Sequence, residues 1–575
     1  YATQFSLTIG STQISNVFAA DPAGPMEVTT KQEGTSTIIS VKFNQQVAGL
    51  GKELPWTLKF NSKDFANQLG KVWEISIPKV VSATNLENYN VTISVPSGFG
   101  PLTSISPTPI RQTSEFNKLF LNFDKNQLQR SGVLASFGDH QLFDFDLSFH
   151  LENPNLGSVV TNIAIPPDSA FQADFYQRID PKPLNVTVED DANYLAWYRQ
   201  SRGQKVDIKV VGSAKLYTNS KVKKPILDSS LKAKYLTGAK YWDKDHPAIR
   251  AKLSEILTGK EKVTNFEKAE IIHRFIVNLL KYDESRLKGS KIERLGAVTA
   301  LNNPSSAVCM EYTDLFISMA RAAGIPAREL DGFAYTTNPN LRPLSLSRDI
   351  LHAWPEFYDE TKGWIMIDPT WESTTGGVDY FNKLDLNHFV FVIKGISSEQ
   401  PIPAGSYKYS EQQSKDVQVT FAKEDFLGKA QLDVDIDVPG PIISGFPAKL
   451  KVKISNLGNV LAQSAPFALT AGQLTILHEG DTKTGPIPAF GHGEFEYNIR
   501  TKSLIDSYDD IVEVLVADQK FRQEIKIRPF IIFQGFPWVL IGLIGTIALI
   551  YFAVLGGFVY RRRFLGTGKI KSTKV

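Results

Sequence analysis

Three residues of this 575-residue chain have the types and spacing for nucleophilic chemistry: Cys309, His352 and Asp368. Cys309 is the only cysteine, so it cannot close a disulfide within the chain. It is either a small buried hydrophobe or a working thiol. A thiolate nucleophile needs a proton acceptor, and the acceptor needs an orienting group. The stretch DILHAWPEFYDETKGWIMIDPTW (349–371) offers both. Its alternation predicts a hairpin, with Ile350 to Tyr358 as the first strand, Asp359 to Gly363 as the loop and Trp364 to Asp368 as the second strand. With Tyr358 facing Trp364, His352 lies opposite Thr370 and Asp368 is its diagonal neighbour. Diagonal neighbours sit ~7–8 Å apart, within reach of an imidazole–carboxylate hydrogen bond.

The element that must present Cys309 is a helix. Val308, Tyr312, Leu315, Phe316, Met319 and Ala323 recur at helical spacing, Ser305 and Ser306 are good N-cap residues, and Gly324 and Pro326 stop the run. Cys309 is thereby predicted in the first turn. There the unsatisfied N–H groups and the helix dipole favour an anion.

Around this segment the pattern changes three times. Residues 1 to about 225 read as strands, among them STIISVKF, NVTISVP and VDIKVVGSAKLY, and two sandwiches are predicted with a break near 100–114. From about 228 the period turns helical, with Ala269, Ile272, Phe275, Ile276 and Leu279 on one stripe. Residues 430–527 return to strands, which predicts a further small sandwich. From Gly535 to Tyr560 there are 26 residues without a charge, long enough to cross a hydrocarbon core of ~30 Å. The tail RRRFLGTGKIKSTKV carries six basic and no acidic residues, so the positive-inside rule predicts a cytoplasmic tail and places residues 1 to about 530 outside. The chain begins at Tyr1, and removal of a secretory signal is expected.

Several functions find no support. Net charge is +3 with no large basic patch, which argues against nucleic acid. The eight histidines show no H-E-x-x-H, and there is no P-loop or dinucleotide fingerprint. DVDIDV (433–438) puts three aspartates on one strand face, where a solvated surface is the better reading than calcium. Asn90 and Asn185 stand in N-x-T sequons.

NPSSAVCMEYTDLFISMARAAGIPAREL, then HAWPEFY, then GWIMIDPTW, resembles the transglutaminase-like superfamily over about 265–395. FIVNLLKYDESR and NHFVFVIKG look like that family's flanking segments. The resemblance implies a papain-like fold with Cys309 as nucleophile, His352 as general base and then acid, and Asp368 as histidine orienter. The chain departs from the pattern twice. Pro355 interrupts the strand after His352, and no tryptophan stands shortly before Cys309 to donate to an oxyanion. The expected architecture is multidomain α+β. It has a β-sandwich region (1–225), a transglutaminase-like core (226–400), a linker (401–429), an Ig-like sandwich (430–527), a transmembrane helix (530–560) and a basic tail (561–575). The expected activity is thiol chemistry on an amide or peptide bond of a cell-surface protein or peptide, with no metal or organic cofactor, leaning to hydrolysis over amine transfer. The competing expectation is a silent adhesion or assembly protein that keeps the core as a scaffold.

Overall fold

The computed structural model describes residues 3–564 except 47–50, 79–85, 131, 222–225, 261, 289–291, 337–341, 345–348, 350, 410–413, 439, 478–481 and 530–535. The tail beyond 564 and Ile350, the expected first residue of the hairpin, lie outside the described residues. Two compact units result, one of residues 1–430 with 458–461 and 488–490, the other of the remaining C-terminal residues.

In the first unit the β-branched and aromatic runs form three sandwiches rather than two. One core gathers Ile9, Ala19, Ile39 and Val41. A second gathers Ile75, Val95, Leu121, Phe123 and Phe137. The third is built on two long strands, His140–Glu152 and Lys205–Tyr217, paired along their whole length. Residues 100–114 do not separate domains. Strands Leu102–Ser106 and Arg111–Glu115 belong to the second sandwich, and the proline-rich piece between them is a turn inside it. Proline and serine mark turns within a sandwich as readily as linkers between sandwiches, which is why composition placed the break wrongly.

The core begins with α1 (Pro247–Leu257), α2 (Asn265–Leu279) and α3 (Ala297–Asn302). They surround α4 (Cys309–Ala322), of which every residue from Cys309 to Arg321 except Met310 is buried. Thr264 caps α2 reciprocally with Glu267, as its sequence signature requires. At the far end of α4, Gly324 takes φ +80°, its N–H bonds Arg321 O, and Ile325 N–H bonds Ala320 O at 2.9 Å. This double closure needs a residue tolerant of the left-handed region, and Gly324 is one.

A four-stranded antiparallel sheet packs on α4. Its strands are β1 (Ala327–Ala334), β2 (Leu351–Asp359), β3 (Gly363–Met366) and β4 (His388–Lys394), in the order β3-β2-β1-β4. A short helix, α5 (Pro369–Thr374), follows β3. The chain then returns. Strand Val417–Phe421, inside the expected linker, pairs with residues 143–147 of the third sandwich.

The second unit pairs Leu432–Asp437, Ala448–Asn456, His492–Arg500 and Thr475–Ile476 in one sheet. Strands near 442, 519–528, 508–516 and 467–471 form the other. Asp433, Asp435 and Asp437 are exposed, and the last two face Lys453 and Lys451 across the ladder, a solvated face. Helix α6 (Phe536–Phe564) contains a span, Val539–Arg561, long and apolar enough to cross a membrane.

Candidate functional site

Cys309 is the first residue of α4, two positions closer to the helix start than Ser306 as cap would place it and three closer than Ser305 would. Val308 occupies the N-cap position, and no side chain of its own can serve there. Glu311 does the work from the third helical position. Its Oε2 accepts the Val308 N–H at 2.9 Å and its Oε1 the Leu295 N–H at 2.8 Å. Arg286 pairs with the same carboxylate at 2.7 Å and also donates to Ser306 O at 2.6 Å. A wholly buried carboxylate so held fixes where the helix starts, and with it the thiol.

His352 sits on β2 directly across from Gly332 of β1. A Cβ at Gly332 would meet Phe389 O at 2.0 Å, because β1 and β4 shift register there. Only glycine fits so close an approach. Tyr358 does face Trp364, the register expected for the hairpin. Asp368, however, is not on a strand. β3 ends at Met366, and Asp368 caps α5, its Oδ1 accepting the Thr370 and Trp371 N–H groups at 2.9 and 3.0 Å. Thr370 therefore does not lie opposite His352. The reason is Pro369, which cannot serve a ladder but suits the first helical position. The sequence held this signal in Asp-Pro-Thr-Trp. Pro355 pairs with Glu329 in the ladder of β1, and its carbonyl accepts Ile367 N–H at 3.1 Å just where β3 leaves. Thr313 of α4 donates to Ala353 O of β2 at 3.2 Å and so ties the cysteine helix to the histidine strand.

These elements bring the expected residues together. His352 Nε2 lies 2.9 Å from Asp368 Oδ2. An ionised carboxylate only accepts, so Nε2 carries the hydrogen. The other ring nitrogen, Nδ1, is buried and has no partner at ordinary hydrogen-bond geometry among the described residues. Burial alone would lower the His352 imidazole, but the Asp368 charge and hydrogen bond outweigh it, Cys309 adds to the rise, and the imidazole is pushed up to about 9. Burial would likewise raise Asp368, but the charge and hydrogen bond of His352, with His388 behind, hold it well below the usual carboxylate range. Cys309, His352 and Asp368 are closed off from solvent, at 1%, 1% and 0% exposure.

One member escaped sequence reasoning. His388 Nε2 lies 3.3 Å from the same Asp368 Oδ2, and its Nδ1 lies 2.8 Å from Asp385 Oδ1. Burial would lower His388, but the Asp385 charge raises it to about 9. The available signal was a histidine heading the otherwise apolar run HFVFVIK. Donor atoms of His352, Asp368 and His388 lie within 4.8 Å of one another, a set able to hold a divalent ion. Asp368 and Asp385 favour the protonated form of these imidazoles, which competes with a metal. Aromatics complete the surroundings. Trp371 and Trp354 lie nearly parallel to the His352 ring, at centroid distances of 5.1 and 5.9 Å. Trp354 also packs with Leu330, Val390 and Ile393. Trp371 donates to Pro343 O at 3.1 Å.

Residues 251–369 match the family model described as the transglutaminase-like superfamily. These residues carry a transglutaminase-like core. An uncharacterized protein of Haemophilus influenzae is 24% identical over 268 residues, 40% of this chain and 69% of that protein. A protein-glutamine gamma-glutamyltransferase of Pseudomonas aeruginosa is 35% identical over 68 residues, 12% of this chain and only 10% of that enzyme. Among solved structures, a proposed cysteine protease from Cytophaga hutchinsonii aligns at TM-score 0.30 and 14% identity, covering 50% of this chain and 99% of its own. Red sea bream transglutaminase aligns at TM-score 0.20 and 12% identity, covering 67% and 80%.

Proposed function

We propose that this chain is a membrane-anchored thiol enzyme acting outside the cytoplasm on amide or peptide bonds of a protein or peptide at the cell surface. The observation that carries the reading is the Asp368–His352 hydrogen bond, which leaves Nδ1 free in the company of Cys309 at the start of α4. Cys309 attacks the carbonyl carbon while His352 holds the thiol's proton. His352 then gives that proton to the leaving nitrogen, and water or a second amine resolves the acyl-enzyme. No cofactor enters this sequence. Hydrolysis is favoured over amine transfer. Water is at ~55 M, so an amine wins only where the site excludes water and orients the amine. Trp354 and Trp371 are wholly buried and packed, and neither walls an open channel. Amine transfer is the direction named for the Pseudomonas aeruginosa relative.

A silent scaffold is the second reading, and the closure of the site favours it. The span Val539–Arg561 supports a single anchor, and the basic residues after it support a cytoplasmic tail. The deciding experiment incubates the protein with a glutamine- and amide-bearing peptide pool and a labelled alkylamine, read by mass spectrometry. Free acid without amine product is expected. Amine incorporation that outpaces acid would reverse the direction. Neither product, at any pH and with intact Cys309, would leave the scaffold.

A further inference from the structure

The proposed reaction places a negative charge on the carbonyl oxygen. The Cys309 N–H, at the first helical position, has no acceptor within its helix and supplies one donor. We infer that the Tyr282 hydroxyl is the second donor to that oxygen, an assignment that rests on Cys309 being the nucleophile. The backbone at Tyr282 runs beside the segment that leads into α4. Tyr282 forms a parallel bridge with Ala307, Lys281 N–H bonds Pro304 O and Asp283 N–H bonds Ala307 O, both at 2.8 Å. The hydroxyl is buried and has no hydrogen-bond partner among the described residues. A buried hydroxyl without a partner is costly, and such groups call for an explanation. Burial first, then the charge of Cys309 ahead of every other side chain, with Tyr312, Glu284 and Asp368 behind, raises the phenol far above its ordinary value. It therefore remains a donor at every working pH. Trp354 Nε1 also lacks a partner among the described residues, but its indole is packed among Leu330, Val390 and Ile393.

In the reaction the Cys309 sulfur bonds the carbonyl carbon and the C=O π pair moves to oxygen. Tyr282 donates a hydrogen bond to that oxygen and keeps its proton. On collapse the pair returns, the C–N bond breaks, and His352 passes its proton to the leaving nitrogen.

The test needs no known substrate. N-acetylglycinal adds to a thiolate at its carbonyl carbon and creates the same oxygen, so it should protect Cys309 from iodoacetamide. Alkylation itself is displacement at a saturated carbon and creates none. In full-length Tyr282→Phe the alkylation rate without aldehyde should match wild type, while the aldehyde concentration for half protection rises at least tenfold. If an amide substrate is in hand, kcat should fall by about 10² or more. The melting temperature should not drop, since the hydroxyl has no bond to lose. Equal protection of both proteins overturns the Tyr282 assignment and leaves the thiol reading standing. Wild-type Cys309 that reacts only after denaturation overturns the thiol reading and the assignment with it.

Discussion

The transglutaminase-like core and the C-terminal sandwich bury their residues by different rules. In Ala448–Asn456 exposed Lys449 and Lys451 and half-buried Lys453 alternate with buried Leu450, Val452 and Ile454. The strand is half core and half solvent, and its pattern says so. In the core β4 is buried at all seven positions and α4 almost throughout. The α4 sequence still contains Glu311, Asp314 and Arg321, and each is tied down. Asp314 accepts the Trp242 indole N–H at 2.9 Å and Arg294 Nε at 3.0 Å. Arg294 also pairs with Glu329, whose second partner is Lys394. Arg321 donates to Ala327 O and Gly395 O. A buried charge persists only when it is paired or fully hydrogen-bonded. The sandwich is held by apolar burial, whereas the core adds a polar lattice that holds a few side chains in one geometry.

Substitutions put that contrast to the test. The largest effect belongs to Cys309→Ala, with His352→Ala and the double variant falling to the same floor, a loss on the order of 10⁴–10⁶ in turnover of a labelled peptide. Asp368→Asn should cost less than the nucleophile. A double variant much worse than either single would show that the residues do not act as a unit. Next comes Arg294→Ala, which strips Asp314 of its guanidinium partner, leaves Glu329 with Lys394 alone, and should cost about 3–5 kcal/mol in denaturant unfolding. Loss no greater than an exposed pair's would dissolve the lattice idea. In the sandwich, Leu450→Ala should cost about 2–5 kcal/mol, with peptide turnover unchanged.

The last effect is a pH dependence. His352 is raised above its ordinary 6.5, so its stabilising contribution is whole below 6.5 and is lost as pH rises through about 9. Turnover should fall along the same limb as the acid that serves the leaving nitrogen is spent. In Asp368→Asn the limb should move towards 6.5. Asp368 works in the opposite sense, since its depressed carboxyl contributes above 3.8 and loses that contribution as pH falls further. A limb unmoved by Asp368→Asn would separate the carboxylate from the imidazole.

The same contrast governs what the sequence discloses. The Ig-like sandwich was legible because alternation with period two reports a face. α4 was legible from its stripe and its glycine stop, and the Tyr358–Trp364 register from the hairpin's own turn signals. The start of α4 was not, because the group that fixes it is Glu311, inside the helix, rather than a serine before it. Asp368 was assigned the right neighbour by the wrong element, since strand logic was extended through a proline. His388 was hidden because a fully buried strand has no alternation to make one histidine stand out.

The strand Val417–Phe421 has a consequence for how the molecule comes to exist. Phe143 pairs with Phe421 and Leu147 with Val417, so this edge of the third sandwich is completed only after the whole core has been synthesised. Until then residues 143–147 present an open row of backbone donors and acceptors, the arrangement that recruits foreign strands. A nascent chain halted near residue 400 would carry that edge exposed, and aggregation should begin there. The smallest piece worth expressing therefore starts near His140 and runs past Phe421, with the transglutaminase-like core enclosed between two strands of one sheet.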